Sequence, residues 1–169
     1  YFNTQYGLAP QTAGFFTAGC VFAGSLVRPI GGNVADRIGG IKSLSVMYVF
    51  AALFLGIVSF DLPEAWMALA AFVCAMLALG MGNGAVFQLV PQRFHKEIGV
   101  MNGLVGMAGG VGGFYLASSL GYSRQLTGSY QAGFLVFAAL ALVALSGLSL
   151  VKARWRTTWG APHVTSARI

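Results

Sequence analysis

The sequence predicts an all-α fold, a polytopic bundle of transmembrane helices. Three observations predict it. Of the 169 residues, 57% are hydrophobic and only 8% charged, whereas soluble domains carry about 25% charged residues. A soluble chain of this size has no means of keeping so much apolar surface from water. The apolar residues also fall into five runs near the ~20 residues that a helix needs to cross a bilayer core. Finally, the basic residues are sorted unevenly between the connectors. The 24 glycines fit the same picture, because glycine is more frequent in membrane helices than in soluble ones.

Taken in order, residues 1–8 read as the tail of a preceding helix or its exit loop. The first span runs from Pro10 to Ala35 and holds one charge, Arg28. The second runs from Leu44 to Phe60, and the third, uncharged, from Ala65 to Val90. The fourth, also uncharged, runs from Ile98 to Leu120, and the fifth from Tyr130 to Val151. Residues 1–156 therefore form the bundle, and 157–169 a polar, mobile tail. Backbone groups in a bilayer must be satisfied within the segment, which selects helices. A β-barrel needs alternation of period two, and these runs have none. Short connectors make neighbouring helices antiparallel.

Arg37, Lys42, Arg93, Lys96, Lys152, Arg154, Arg156 and Arg168 fall on one side of the predicted membrane, and Arg124 alone on the other. That bias places the charged connectors and the C-terminus in the cytoplasm. It also explains the net charge of +6 without nucleic acid, which would call for a basic face rather than basic connectors. Cys20 and Cys74 lie in apolar runs with no metal-ligand spacing around them, so they read as small buried side chains. No metal and no cofactor is implied. The chain begins at Tyr1 without the pattern of a signal peptide and reads as part of a longer protein.

Three features carry chemistry. Arg28 lies about 12 Å inside the cytoplasmic end of its helix, counted from Asp36 at 1.5 Å per residue. A charge at that depth costs several kcal/mol unless it is paired or hydrated. One reading makes it an anion ligand in a water-accessible cavity, because guanidinium is planar, always charged and matches the edge of an oxyanion. The other has it snorkelling to the interface. The second feature is the turn from Gly31 to Lys42, with Gly32, Asp36, Arg37 and Gly39. Glycine there permits a tight reversal. The third is the fourth span, with Gly99, Gly103, Gly106, Gly109, Gly110, Gly112 and Gly113 ahead of Phe114 and Tyr115. Pairs four apart suit close helix packing. Glycine on several faces also suits a backbone that approaches a small ligand, and both readings stand. The polar residues Asn83, Gln88 and Asn102 line a pathway or bond between helices. Asn83 is carried as a candidate substrate contact. No embedded Asp, Glu or His offers a proton relay.

The turn resembles the cytoplasmic loop motif of the major facilitator superfamily, G-x-x-x-D-R-x-G followed by basic residues, with Gly40 where a basic residue is usual and Lys42 following. The run Gly103-Leu104-Val105-Gly106-Met107-Ala108-Gly109-Gly110-Val111-Gly112-Gly113-Phe114 resembles the glycine-rich nitrate motif of the nitrate/nitrite porter family within that superfamily. Gly82 to Pro91 is similar to the preceding helix of bacterial members, and Ser25 to Gly32 with Asp36-Arg37 to their eighth helix and its loop. The similarity covers nearly the whole chain and fades after Arg156.

The resemblance implies helices eight to twelve of twelve, the C-terminal half of a porter in a bacterial inner membrane. It makes Arg28 one of two substrate arginines, the other belonging to the absent half. It implies nitrate or nitrite as substrate, with Gly103, Gly106, Gly109, Gly110, Phe114 and Asn83 as further candidate contacts. The remaining half of the protein and the lipid bilayer are its partners. Two alternatives stay open: a facilitator for another small anion or organic acid, which the loop motif alone allows, and a non-transporting membrane sensor or anchor. No nucleophile–base pair or metal cluster supports an enzyme.

Overall fold

The computed structural model describes the backbone of residues 1–158, and all of their side chains except those of Arg93 and 153–158. Seven helices follow one another: α1 (Phe2–Tyr6), α2 (Pro10–Leu26), α3 (Arg28–Ile38), α4 (Gly40–Ser59), α5 (Ala65–Arg93), α6 (Ile98–Thr127) and α7 (Gln131–Thr158). Together α2 and α3 form one span, so five stretches are long and apolar enough to cross a membrane: Pro10–Ile38, Gly40–Ser59, Ala65–Gln92, Ile98–Thr127 and Gln131–Lys152. The chain is a transmembrane helical bundle. Thr157 and Thr158, predicted to lie in the polar tail, still belong to α7. The rest of that tail lies outside the described residues.

The break between α2 and α3 falls at Val27, two residues before Pro29. Proline has no N–H, so the carbonyl of Ser25 loses its usual helical donor. The ladder resumes at once, since the Gly31 N–H bonds to the Val27 carbonyl at 3.0 Å. Val27 itself keeps near-helical angles, φ −80° and ψ −11°. The span is thus interrupted without folding back.

The turn between α3 and α4 is shorter than the sequence reading proposed. Gly31 to Ile38 is helical, as is everything from Gly40 onward, and Gly39 alone makes the turn. Its φ of 97° and ψ of 134° are open to glycine and strained for other residues. Its N–H bonds to the Ala35 carbonyl at 2.9 Å, and its carbonyl accepts from the Ser43 N–H at 2.9 Å. One residue therefore serves both helix ends.

The central element is α5, which packs against α2, α3 and α4, while α4 also packs along α7. Ala68, Ala71, Ala75, Ala78 and Ala85 of α5 are all buried. Three- and four-residue spacing puts small residues on one face and lets neighbouring helices approach closely. At the end away from the basic connectors, Val58, Ala71, Phe134 and Phe137 form a core flanked by Tyr1, Phe72, Leu120 and Tyr130. Tyr1 meets Phe72, Tyr130 and Phe134 edge-on, with centroids 5.1, 5.4 and 5.6 Å away. By contrast α6 leans on α7 and α5 and has no buried residue.

Candidate functional site

Odd-numbered spans of an antiparallel bundle run in the same direction, so α2–α3 and α5 cross as parallel neighbours. Their contact is built from glycine. A Cβ at Gly80 would collide with the Gly24 carbonyl oxygen, one at Gly31 with the Met81 backbone, and one at Gly84 with the Arg28 carbonyl oxygen. Gly80 and Gly84 stand four residues apart, the small-xxx-small spacing that brings membrane helices into backbone contact.

Beside this crossing lies an open cleft of about 680 Å³, lined by Arg28, Pro29, Gly32, Asn33, Asp36, Asn83, Gly84, Phe87 and Gln88. Arg28 opens α3, eleven residues before Gly39, which is about 16 Å along a helix. The 20 residues of α4 span about 30 Å, close to the thickness of a bilayer core. Arg28 therefore sits about halfway down. Its side chain is exposed and lines the cleft. No acidic side chain among the described residues pairs with it. The nearest along its own face, Asp36, is engaged elsewhere.

Asp36 accepts a 2.6 Å hydrogen bond from the Gln88 amide, which ties the end of α3 to α5 at the mouth of the cleft. The Gln88 Oε1 points inward and is buried without a hydrogen-bond partner among the described residues. A Cβ at Gly40 would lie 3.0 Å from that oxygen and would collide with Leu89. A side chain at Gly40 would therefore require Leu89 to shift. Arg37 occupies the last turn of α3, where a cation complements the helix dipole.

The sequence-predicted site residues divide into two groups. Arg28 and Asn83 line the same cleft, and Gly32 and Asp36 of the loop motif line it too. Gly103, Gly106, Gly109 and Gly110 do not: a Cβ at any of them meets nothing within 4 Å. Phe114 is 70% exposed and stacks edge-on only with Tyr115 among the described residues. Among the described residues, close packing on glycine occurs at Gly24, Gly31, Gly80 and Gly84. The spacing of Gly80 and Gly84 was the signal for it, overshadowed by the denser glycines of α6. Asn33 and Phe87 also line the cleft and were not singled out from sequence. Asn83 borders a second, smaller cleft of about 200 Å³ between α4 and α5, with Tyr48 and Met47. Asn102 has a buried Oδ1 without a partner among the described residues.

Among the described residues no three His, Cys, Asp or Glu side chains come together as a metal site. Cys20 is buried and Cys74 half-buried.

The fold is that of a polytopic helical membrane protein, in which Arg28, unpaired among the described residues, lines an open cleft. The profile described as Major Facilitator Superfamily matches residues 1–164, and the chain belongs to that superfamily. It is 40% identical over 148 residues to a nitrite extrusion protein of Bacillus subtilis (strain 168), covering 87% of this chain and 36% of the relative. It is 37% identical over 155 residues to a probable nitrate transporter NarT of Staphylococcus carnosus (strain TM300), covering 88% and 39%. A probable NarT of Staphylococcus haemolyticus (strain JCSC1435) is 33% identical over 147 residues, covering 85% and 37%. The chain thus spans less than two fifths of the length of these curated relatives. No solved structure matches it significantly.

Proposed function

We propose that this chain is the C-terminal part of a secondary transporter that moves nitrate or nitrite across a bacterial cytoplasmic membrane by alternating access. The observation that carries the proposal is Arg28, a cation without an acidic partner among the described residues, which lines an open cleft beside the crossing of α3 and α5. The names of the relatives, which concern nitrate and nitrite, direct the choice of anion. A planar guanidinium presents a fork of donors that suits a small planar oxyanion. Asn83 and Asn33 border the same cleft and bring amide donors without adding charge. Binding near the midplane, where two halves meet, is the arrangement that lets one site open to either side.

In this reading the remaining helices of the full-length protein cover the face of α6 that this chain leaves open. Gly103, Gly106, Gly109 and Gly110 then serve close approach to that half and to the anion, and Phe114 is an aromatic wall of the pathway. The excess of basic residues in the connectors on one side supports a cytoplasmic C-terminus.

The test is anion flux into proteoliposomes holding the full-length protein. Nitrate or nitrite uptake, with little movement of formate, sulfate or a small organic acid, is expected. Movement of an organic acid or another anion, with neither nitrate nor nitrite transported, would replace this substrate with the broader facilitator reading.

A further inference from the structure

We infer that Gly84 and Pro29 are the residues that position Arg28. This rests on the reading of Arg28 as an anion ligand and concerns what holds it in place. Arg28 stands at a discontinuity. Its helix begins at Arg28 itself, α2 ends two residues earlier, and Val27 between them belongs to neither. Pro29 causes the gap, because it withholds the N–H that would carry the α2 ladder through. The bond that Pro29 removes is one of those tying this turn to the end of α2, so contacts from outside the helix take a larger share in fixing Arg28.

Gly84 supplies such a contact. A Cβ at Gly84 would collide with the Arg28 carbonyl oxygen and would stand 2.9 Å from the backbone nitrogen of Gly32 and 3.0 Å from the Arg28 carbonyl carbon. All three atoms are backbone, so no side chain can swing aside to make room. Gly84 thus bears on the first turn of α3 at its two ends, Arg28 and Gly32, and both residues line the cleft with it. One turn back along α5, Gly80 makes an equally close contact, but with the Gly24 carbonyl oxygen and the Val27 side chain. That contact holds α2 above the break. The two glycines do the same packing work on opposite sides of the break, and Gly84 alone abuts the residue that carries the charge.

The experiment compares Gly84→Ala, Gly80→Ala, Pro29→Ala and Arg28→Lys in the full-length protein, reading the half-saturating nitrate concentration and the maximal flux per assembled molecule. Gly84→Ala is expected to raise the half-saturating concentration about tenfold or more, as small misplacements of a binding group do, while Gly80→Ala stays nearer wild type. Pro29→Ala introduces no clash and restores a helical donor, so it tests the same junction where Gly84→Ala fails to assemble. It too is expected to raise the half-saturating concentration. Equal effects of Gly84→Ala and Gly80→Ala, or a wild-type value for Pro29→Ala, would overturn the inference. An Arg28→Lys variant with unchanged half-saturation would instead remove the anion-ligand reading on which it rests.

Discussion

The Gln88 amide donates a 2.6 Å hydrogen bond to the Asp36 carboxylate, across 52 positions of sequence and between two helices. The bond lies at the mouth of the open cleft that Arg28 also lines. Changing Gln88→Glu replaces the donor with a second carboxylate oxygen at hydrogen-bonding distance. The expected cost is at most about 1.5–3 kcal/mol, the range for a hydrogen bond to a charged group. Adding Asp36→Asn to Gln88→Glu exchanges donor and acceptor and should recover much of the loss. Thermal unfolding in detergent measures both steps, and a Gln88→Glu protein as stable as wild type would show that the pair does not hold α3 to α5.

Gly39 and Gly14 should respond oppositely to alanine. Gly39 turns the chain alone at a φ of 97°, where a Cβ is strained by about 1–2 kcal/mol. Gly14 lies inside α2 with nothing within 4 Å of a Cβ, where alanine is the better helix former by up to about 1 kcal/mol. Melting temperatures should fall for Gly39→Ala and hold or rise for Gly14→Ala.

Asp61 joins three elements at the opposite end. Its two carboxylate oxygens accept from Gln5 at 3.1 Å and from Gln131 at 2.6 Å, and the Tyr6 hydroxyl donates to the neighbouring Leu62 carbonyl at 2.8 Å. Asp61 is also the one non-glycine residue with positive φ, 45°, among the described residues. Asp61→Ala should lose both bonds and strain the backbone, whereas Asp61→Gly loses the bonds alone. The alanine variant is expected to be the less stable by about 1 kcal/mol. Equal stabilities in unfolding measurements would remove strain from the account of this loop.

The open face of α6 leads to a different expectation. Among the described residues a Cβ at Gly110 meets nothing within 4 Å. Gly110→Leu in the full-length protein should therefore reach the membrane at wild-type levels and lose most nitrate flux, because the proposed other half has to approach that face. Wild-type flux would show that the face meets lipid.

The five spans were legible because hydropathy over some 20 residues reports bilayer crossing directly, and the alternation of basic connectors supported the count. Their ends were less so. The connector predicted between Ala35 and Leu44 shrinks to Gly39, because charged residues such as Asp36 and Arg37 continue a helix past the apolar run. The break at Val27 was signalled by Pro29, yet a proline in a long apolar segment does not say whether a helix bends or ends. Arg28 was legible as a charge inside an apolar span. Its surroundings were not, because Asn83, Gly84 and Gln88 reach it only through the crossing of α3 and α5. The α6 glycines show the limit most plainly. Their spacing describes a surface suited to close approach, and no pattern within the sequence names what approaches it.

The most direct test of the central claim is nitrate flux by the full-length protein in proteoliposomes, comparing wild type with Arg28→Lys. Lysine keeps the charge and removes the planar fork of donors. The account predicts that wild type moves nitrate and that the folded lysine variant loses most of that flux. Equal flux from the two would contradict it and make Arg28 a structural residue of the cleft.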